Sequence, residues 1–116
     1  MSSLEYCLNK ARELPYERNR SRHYAVIVDK RNRIISEAGN SYQKTHPLMS
    51  KTSKKLGLLK EYCHAEQLCL VRARGKGIKM YVCRIDSRGN ACYSAPCPVC
   101  ATLIAESNLK AVEFSV

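Results

Sequence analysis

Leu4, Leu8, Ala11 and Leu14 recur at helical spacing and Pro15 stops the run, so the pattern predicts an amphipathic helix over residues 2–14. Tyr24 to Asp29 (YAVIVD) is a continuous β-branched run, the mark of a buried strand. A Lys30-Arg31-Asn32 turn separates it from Arg33 to Gly39 (RIISEAG), a second strand, and the two read as an antiparallel hairpin. The chain then turns polar and basic from Asn40 to Tyr62, with Pro47 and Gly57 as breakers and LGLLKEY as a short helical turn. A connection of that length within a compact domain is usually functional or disordered. A helix runs from Cys63 to about Arg74 and closes on Gly75-Lys76-Gly77. Lys79 to Ile85 (KMYVCRI) makes a third strand, DSRGN a turn, Cys97 to Asn108 a helix, and Lys110 to Val116 a last strand. Pro98 sits early in that helix, where proline is tolerated, and Val99, Leu103 and Ile104 form its apolar stripe.

The order is α-β-β-α-β-α-β. Helical crossovers before the two late strands favour parallel pairing after the opening hairpin. The expected fold class is therefore α/β: a three-layer α/β/α sandwich with a mixed four- to five-stranded sheet, in a single domain over residues 1–116. An exposed sheet edge on so short a chain favours a homo-oligomer.

Composition narrows the class. The apolar share of 45% suits a packed core, yet no run approaches the roughly 18 apolar residues of a membrane span. Met1 to Arg12 lacks the apolar core of a signal peptide, so a soluble cytoplasmic protein without membrane contact is expected. The formal charge of +10 implies attraction to anions, whether nucleotide phosphates, nucleic acid or an acidic partner. Seven cysteines are too many to ignore, and being odd in number without a secretory signal they argue against a full disulfide framework. Cys7, Cys63, Cys69, Cys83 and Cys92 show no ligand spacing and read mostly as small buried hydrophobes.

Two short stretches remain, each at a helix start: His64-Ala65-Glu66 and Pro96-Cys97-Pro98-Val99-Cys100. A Cys-x-x-Cys pair at a helix start brings two sulfurs within reach of one metal, and the helix terminus favours the thiolates. With one imidazole they make a three-ligand zinc site. A structural site would add a fourth protein ligand, for which Cys92 and His46 are the alternatives; a catalytic one leaves that position to water. Water on an open zinc has a pKa of roughly 7 and needs a proton manager beside it. Glu66, two residues after His64, is placed for that role.

His-x-Glu followed by Pro-Cys-x-x-Cys resembles the signature of the zinc-dependent cytidine/deoxycytidylate deaminase superfamily, here HAE at 64–66 and PCPVC at 96–100. The order of elements over residues 2–116 is similar to the family core. The resemblance implies one Zn2+ per chain on His64, Cys97 and Cys100, its fourth position held by water or hydroxide, with Glu66 moving protons. It also implies that the backbone of Ala65 and the carbonyl of Ala95 hold the pyrimidine edge. Asn40 falls where many relatives contact the substrate sugar, although a turn residue after Gly39 is the plainer reading. Tyr42 and His46 would line the pocket from the long loop. The chain departs from deoxycytidylate deaminases in carrying Gln67-Leu68-Cys69 after the glutamate, and from free-nucleoside enzymes in its Pro98 between the cysteines.

The implied activity is hydrolytic deamination of cytosine to uracil in a small-molecule nucleoside or nucleotide, and the charge favours a phosphorylated one. A base-editing deaminase is the alternative, with residues 44–60 gripping single-stranded nucleic acid. Only Tyr42 and Tyr62 flank that stretch as stacking aromatics, and the chain has no Trp. The non-enzymatic alternative is a zinc-stapled binding module.

Overall fold

A computed structural model describes residues 2–15, 22–40, 65–94 and 98–115. The elements in chain order are α1 (Ser3–Glu13), β1 (Arg22–Val28), β2 (Ile34–Gly39), α2 (Ala65–Ala73), β3 (Lys79–Ile85), β4 (Ala91–Cys92), α3 (Pro98–Ala105) and β5 (Ala111–Phe114). The expected three-layer α/β/α sandwich with a mixed sheet is what forms. The short LGLLKEY helical turn falls outside the described residues.

Helix α1 starts where the Ser2 hydroxyl accepts the Glu5 N–H at 3.1 Å, and it buries Cys7 and Ala11 against β1 and β3. The continuous apolar run of β1 is explained by its position between two layers. Ala25 and Ile27 join the core beneath α2 and α3, whereas Val26 and Val28 pack beneath α1 with Cys7 and Cys83. Cys7, Cys69 and Cys83 are buried as expected of small hydrophobes; Cys92 is only half-buried, and Cys63 lies outside the described residues.

The sheet runs β2-β1-β3, and β4 and β5 share the far side of β3. Parallel pairing is confined to β3 with β5, from Lys79↔Ala111 to Val82↔Phe114. The crossover through α2 instead returns β3 beside β1 as an antiparallel neighbour, Arg22↔Ile85 through Val28↔Lys79. A fifth strand, β4, makes a two-residue hairpin with the end of β3. The DSRGN turn that makes it possible is held by Asp86, whose carboxylate accepts the N–H groups of Arg88 and Asn90, both at 2.9 Å.

Helix α2 lies on β1 and β2 and packs against α3. Its Ala65, Cys69 and Ala73 face the sheet. The Ser36 hydroxyl donates to the Cys69 carbonyl at 2.8 Å, and Arg72 donates to the Glu37 carbonyl at 2.9 Å, which fixes the helix on the β2 edge. No helix among the described residues is long and apolar enough to cross a membrane.

Candidate active site

The two halves of the motif belong to two similar helix–strand units. Lys79 pairs with Ala111 in the parallel ladder, an offset of 32 residues, and the helices end at Ala73 and Ala105 with the same offset. Both helices therefore reach their strands through connections of equal length. Their C-terminal ends stand side by side across a cleft lined by Leu70, Val71 and Leu103 and by the turns after each helix. Asn108 bridges those turns by donating to the Gly75 carbonyl at 3.5 Å. Helices that share one end and pack along their length run parallel. The first turn of α2, from Ala65, therefore stands level with the first turn of α3, from Pro98. Thirty-two residues of sequence separation become adjacency.

Glu66 is in the first turn of α2, only 2% exposed, and Cys100 is in the first turn of α3, fully buried. Ala65, the first residue of α2, is fully buried beneath it. His64, Ala95, Cys97, Tyr42 and His46 lie outside the described residues, and no three potential metal ligands meet among the described ones. The donor set suits zinc: one imidazole and two sulfurs, one of the sulfurs buried at the start of a helix.

Asn40 has a structural task. It follows β2 directly, its Oδ1 accepts the His23 N–H at 3.1 Å, and its own N–H donates to the His23 carbonyl at 3.1 Å. The carboxamide thereby closes the open end of the β1–β2 hairpin and is fixed in orientation. His23 is half-buried there.

Some of the positive charge is also occupied within the fold. Arg22 donates to the carbonyls of Arg12 (3.2 Å) and Asp86 (2.9 Å), and Arg12 donates to that of Gly89 at 2.9 Å. Arg33 pairs with Asp29 at 3.0 Å, and the backbone N–H groups of Arg33 and Arg31 together with the Arg33 side chain hold the Asp29 carboxyl below its usual range.

Three residues around the site were not singled out for it by the sequence. Gln67 is fully buried, and neither atom of its carboxamide has a hydrogen-bond partner among the described residues. Ser94 and Ser115, both 3% exposed, interlock where β3, β4 and β5 meet, Ser94 being the last described residue before Ala95. Burial of Gln67 has a sequence correlate, since it precedes Leu70 and Val71 by one helical turn; nothing local marks the two serines.

A family model for the cytidine and deoxycytidylate deaminase zinc-binding region matches residues 1–116. This chain belongs to that family. Among solved structures it is similar to cytidine deaminase from Mycobacterium tuberculosis and to a point mutant of that enzyme. Each match has a TM-score of 0.53 and 15% identity, over 95% of this chain and 80% of the other. No curated protein sequence matches. The fold is therefore that of a cytidine deaminase, and family membership makes the chain a zinc-binding deaminase.

Proposed function

We propose that the chain deaminates cytosine in a (deoxy)cytidine nucleoside or nucleotide, giving uracil and ammonia. What supports this reading most is that α2 and α3, which pack together, each carry a buried motif residue in the first turn, Glu66 and Cys100. His64, Cys97 and Cys100 would hold one zinc, with its fourth position left to water. Bound there, the metal supplies the Lewis acidity that brings a water's pKa down to roughly 7.

The protein's own part falls to a few groups. Glu66 takes a proton from the attacking water and delivers it to the pyrimidine N3; the remaining proton goes to the amino group, which leaves as ammonia while a carbonyl forms at C4. Its burial suits this, because a carboxylate screened from bulk water exchanges protons with the substrate. The Ala65 N–H and the Ala95 carbonyl orient the ring by its edge. Asn40 contacts the sugar, its carboxamide already oriented by His23. Tyr42 and His46 line the pocket. The net charge of +10 supports a phosphorylated substrate, and the outer position of β2, which pairs only with β1 among the described residues, supports self-association in a cytoplasmic enzyme.

The test is ammonia release from zinc-loaded protein over nucleosides, their mono- and triphosphates and short oligonucleotides. Turnover of a cytosine nucleoside or nucleotide is expected. Turnover confined to oligonucleotides, falling steeply with salt, would instead identify an editing enzyme, and no turnover at all would remove the enzymatic reading.

A further inference from the structure

Val71 and Ile34 are large apolar side chains left exposed, and both stand at the same end of the domain. At that end β1 finishes and β3 and β5 begin. Val28 pairs with Ile34 and with Lys79, its carbonyl accepts the Ile78 N–H at 2.9 Å, and the Ile78 carbonyl accepts the Lys110 N–H at 2.8 Å. Helices α2 and α3 finish there too, at Ala73 and Ala105, away from Glu66 and Cys100 in their first turns. Val71 belongs to the cleft between those helix ends, about 260 Å³ in volume, whose apolar walls include Leu70, Leu103 and Leu109. That lies below the usual span of small-molecule pockets, ~300–1,000 Å³, and suits a single large side chain.

The rim of the cleft is basic. Arg74 and Lys76 are exposed in the turn after α2, Lys110 in the turn after α3, and Lys30 and Arg31 in the β1–β2 turn at the same end. None of these side chains has an ion pair among the described residues. Of the acids at this end, Asp29 is paired with Arg33 at 3.0 Å and Glu113 with Lys79 at 3.2 Å, while Glu106 lies on the cleft wall.

An apolar opening within a cationic rim selects what covers it. A second copy of this chain would bring the same cations against one another, which is unfavourable. A nucleic-acid strand offers phosphates to the rim, but its bases need aromatic faces to stack on, and the exposed Tyr93 follows β4, at the other end of β3. An acidic polypeptide satisfies both parts. The helix C-terminal ends carry partial negative charge, so the partner's carboxylates belong on the rim and its apolar side chain in the cleft.

We infer that this end of the domain docks an acidic polypeptide segment with a large apolar side chain, which fills the α2–α3 cleft while flanking Asp or Glu residues meet Arg74, Lys76 and Lys110. This docking does not depend on the chemistry at Glu66.

The experiment measures fluorescence anisotropy of a fluorescein-labelled peptide, a Leu-Phe pair flanked on both sides by Asp and Glu, titrated with the full chain. Saturable binding is expected, weaker by about tenfold or more when the pair becomes Ser-Ser. Lys76→Glu and Val71→Asp, both at exposed positions, should each weaken it by about tenfold or more with melting temperatures near wild type. Arg88→Glu, at the opposite end of the sheet, should change it by less than about twofold. No saturable binding of the peptide would overturn the proposal. Binding indifferent to the Ser-Ser change, or lost equally in Arg88→Glu, would overturn it in favour of general charge attraction. So would a duplex oligonucleotide that displaces the peptide and whose own binding falls in Lys76→Glu but not in Val71→Asp.

Discussion

The Ser94 and Ser115 side-chain oxygens lie 3.1 Å apart, both buried, where β3, β4 and β5 converge. Ser115 donates to the Cys92 carbonyl at 2.7 Å and accepts the Arg84 N–H at 3.0 Å. Ser94 donates to the Val82 carbonyl at 2.9 Å, and that carbonyl also takes the Ser115 N–H at 2.9 Å. Ser94 is the last residue before the stretch that leads to Cys97, so this knot sets where that stretch departs from the sheet. Ser115→Ala removes the hydroxyl that serves the Arg84 N–H and the Cys92 carbonyl together in a part-buried setting and should cost about 1–3 kcal/mol. Urea unfolding at constant m-value measures it; a loss under a few tenths of a kcal/mol would mean that the knot contributes little.

Glycine is required unequally in the two turns beside the sheet. Gly77 has φ +93°, and a Cβ there would lie 2.2 Å from Ile27 Cγ2 and 3.3 Å from the Val28 carbonyl. Gly89 has φ +83° with nothing within 4 Å. Gly77→Ala combines left-handed strain with overpacking against a fully buried side chain and should cost ~2–4 kcal/mol. Gly89→Ala carries only the strain, about 1–2 kcal/mol. Thermal unfolding of the two variants checks the order, and equal losses would contradict the packing argument.

Glu37 on β2 accepts the hydroxyls of both Tyr6 (2.8 Å) and Tyr24. Burial, followed by this carboxylate, pushes the Tyr6 phenol up to about 12 and Tyr24 upward as well. Both phenols are protonated in folded and unfolded chains below pH 10, so the stability associated with them is fully present there. It is lost as pH rises from about 10 through the folded-state values, because the unfolded chain releases these protons first. Phenolate absorbance should show a late-titrating component from Tyr6 and Tyr24, and Glu37→Gln should bring it back towards 10. An unchanged titration in Glu37→Gln would show that burial alone sets the values.

Legibility in the sequence followed how local each cause was. The YAVIV run announced a strand buried on both faces, and the structure places its alternate residues in two different cores. The β3 boundaries read from KMYVCRI match the structure. By contrast β4 has two residues, too few to show any period, and it exists because Asp86 shapes a turn and Ser115 anchors Cys92. The antiparallel placement of β3 beside β1 depends on how the chain returns through α2, which spacing does not encode. Within the candidate site, the motif picks out Glu66 and Cys100, which lie buried in the first turns of α2 and α3. The oddity of Gln67 was not legible, because an unpaired buried carboxamide is visible only once its surroundings are packed.

If Glu66 moves protons at a zinc site, replacing it separates metal binding from turnover. The most direct test measures ammonia release and bound zinc in the same preparations of wild type and Glu66→Gln, with a cytosine nucleotide as substrate. Equal zinc, near one per chain, is expected in both proteins, with a rate in Glu66→Gln lower by at least about 10²–10⁴-fold, the usual contribution of general acid–base catalysis. Turnover retained in a zinc-loaded Glu66→Gln protein would contradict that role.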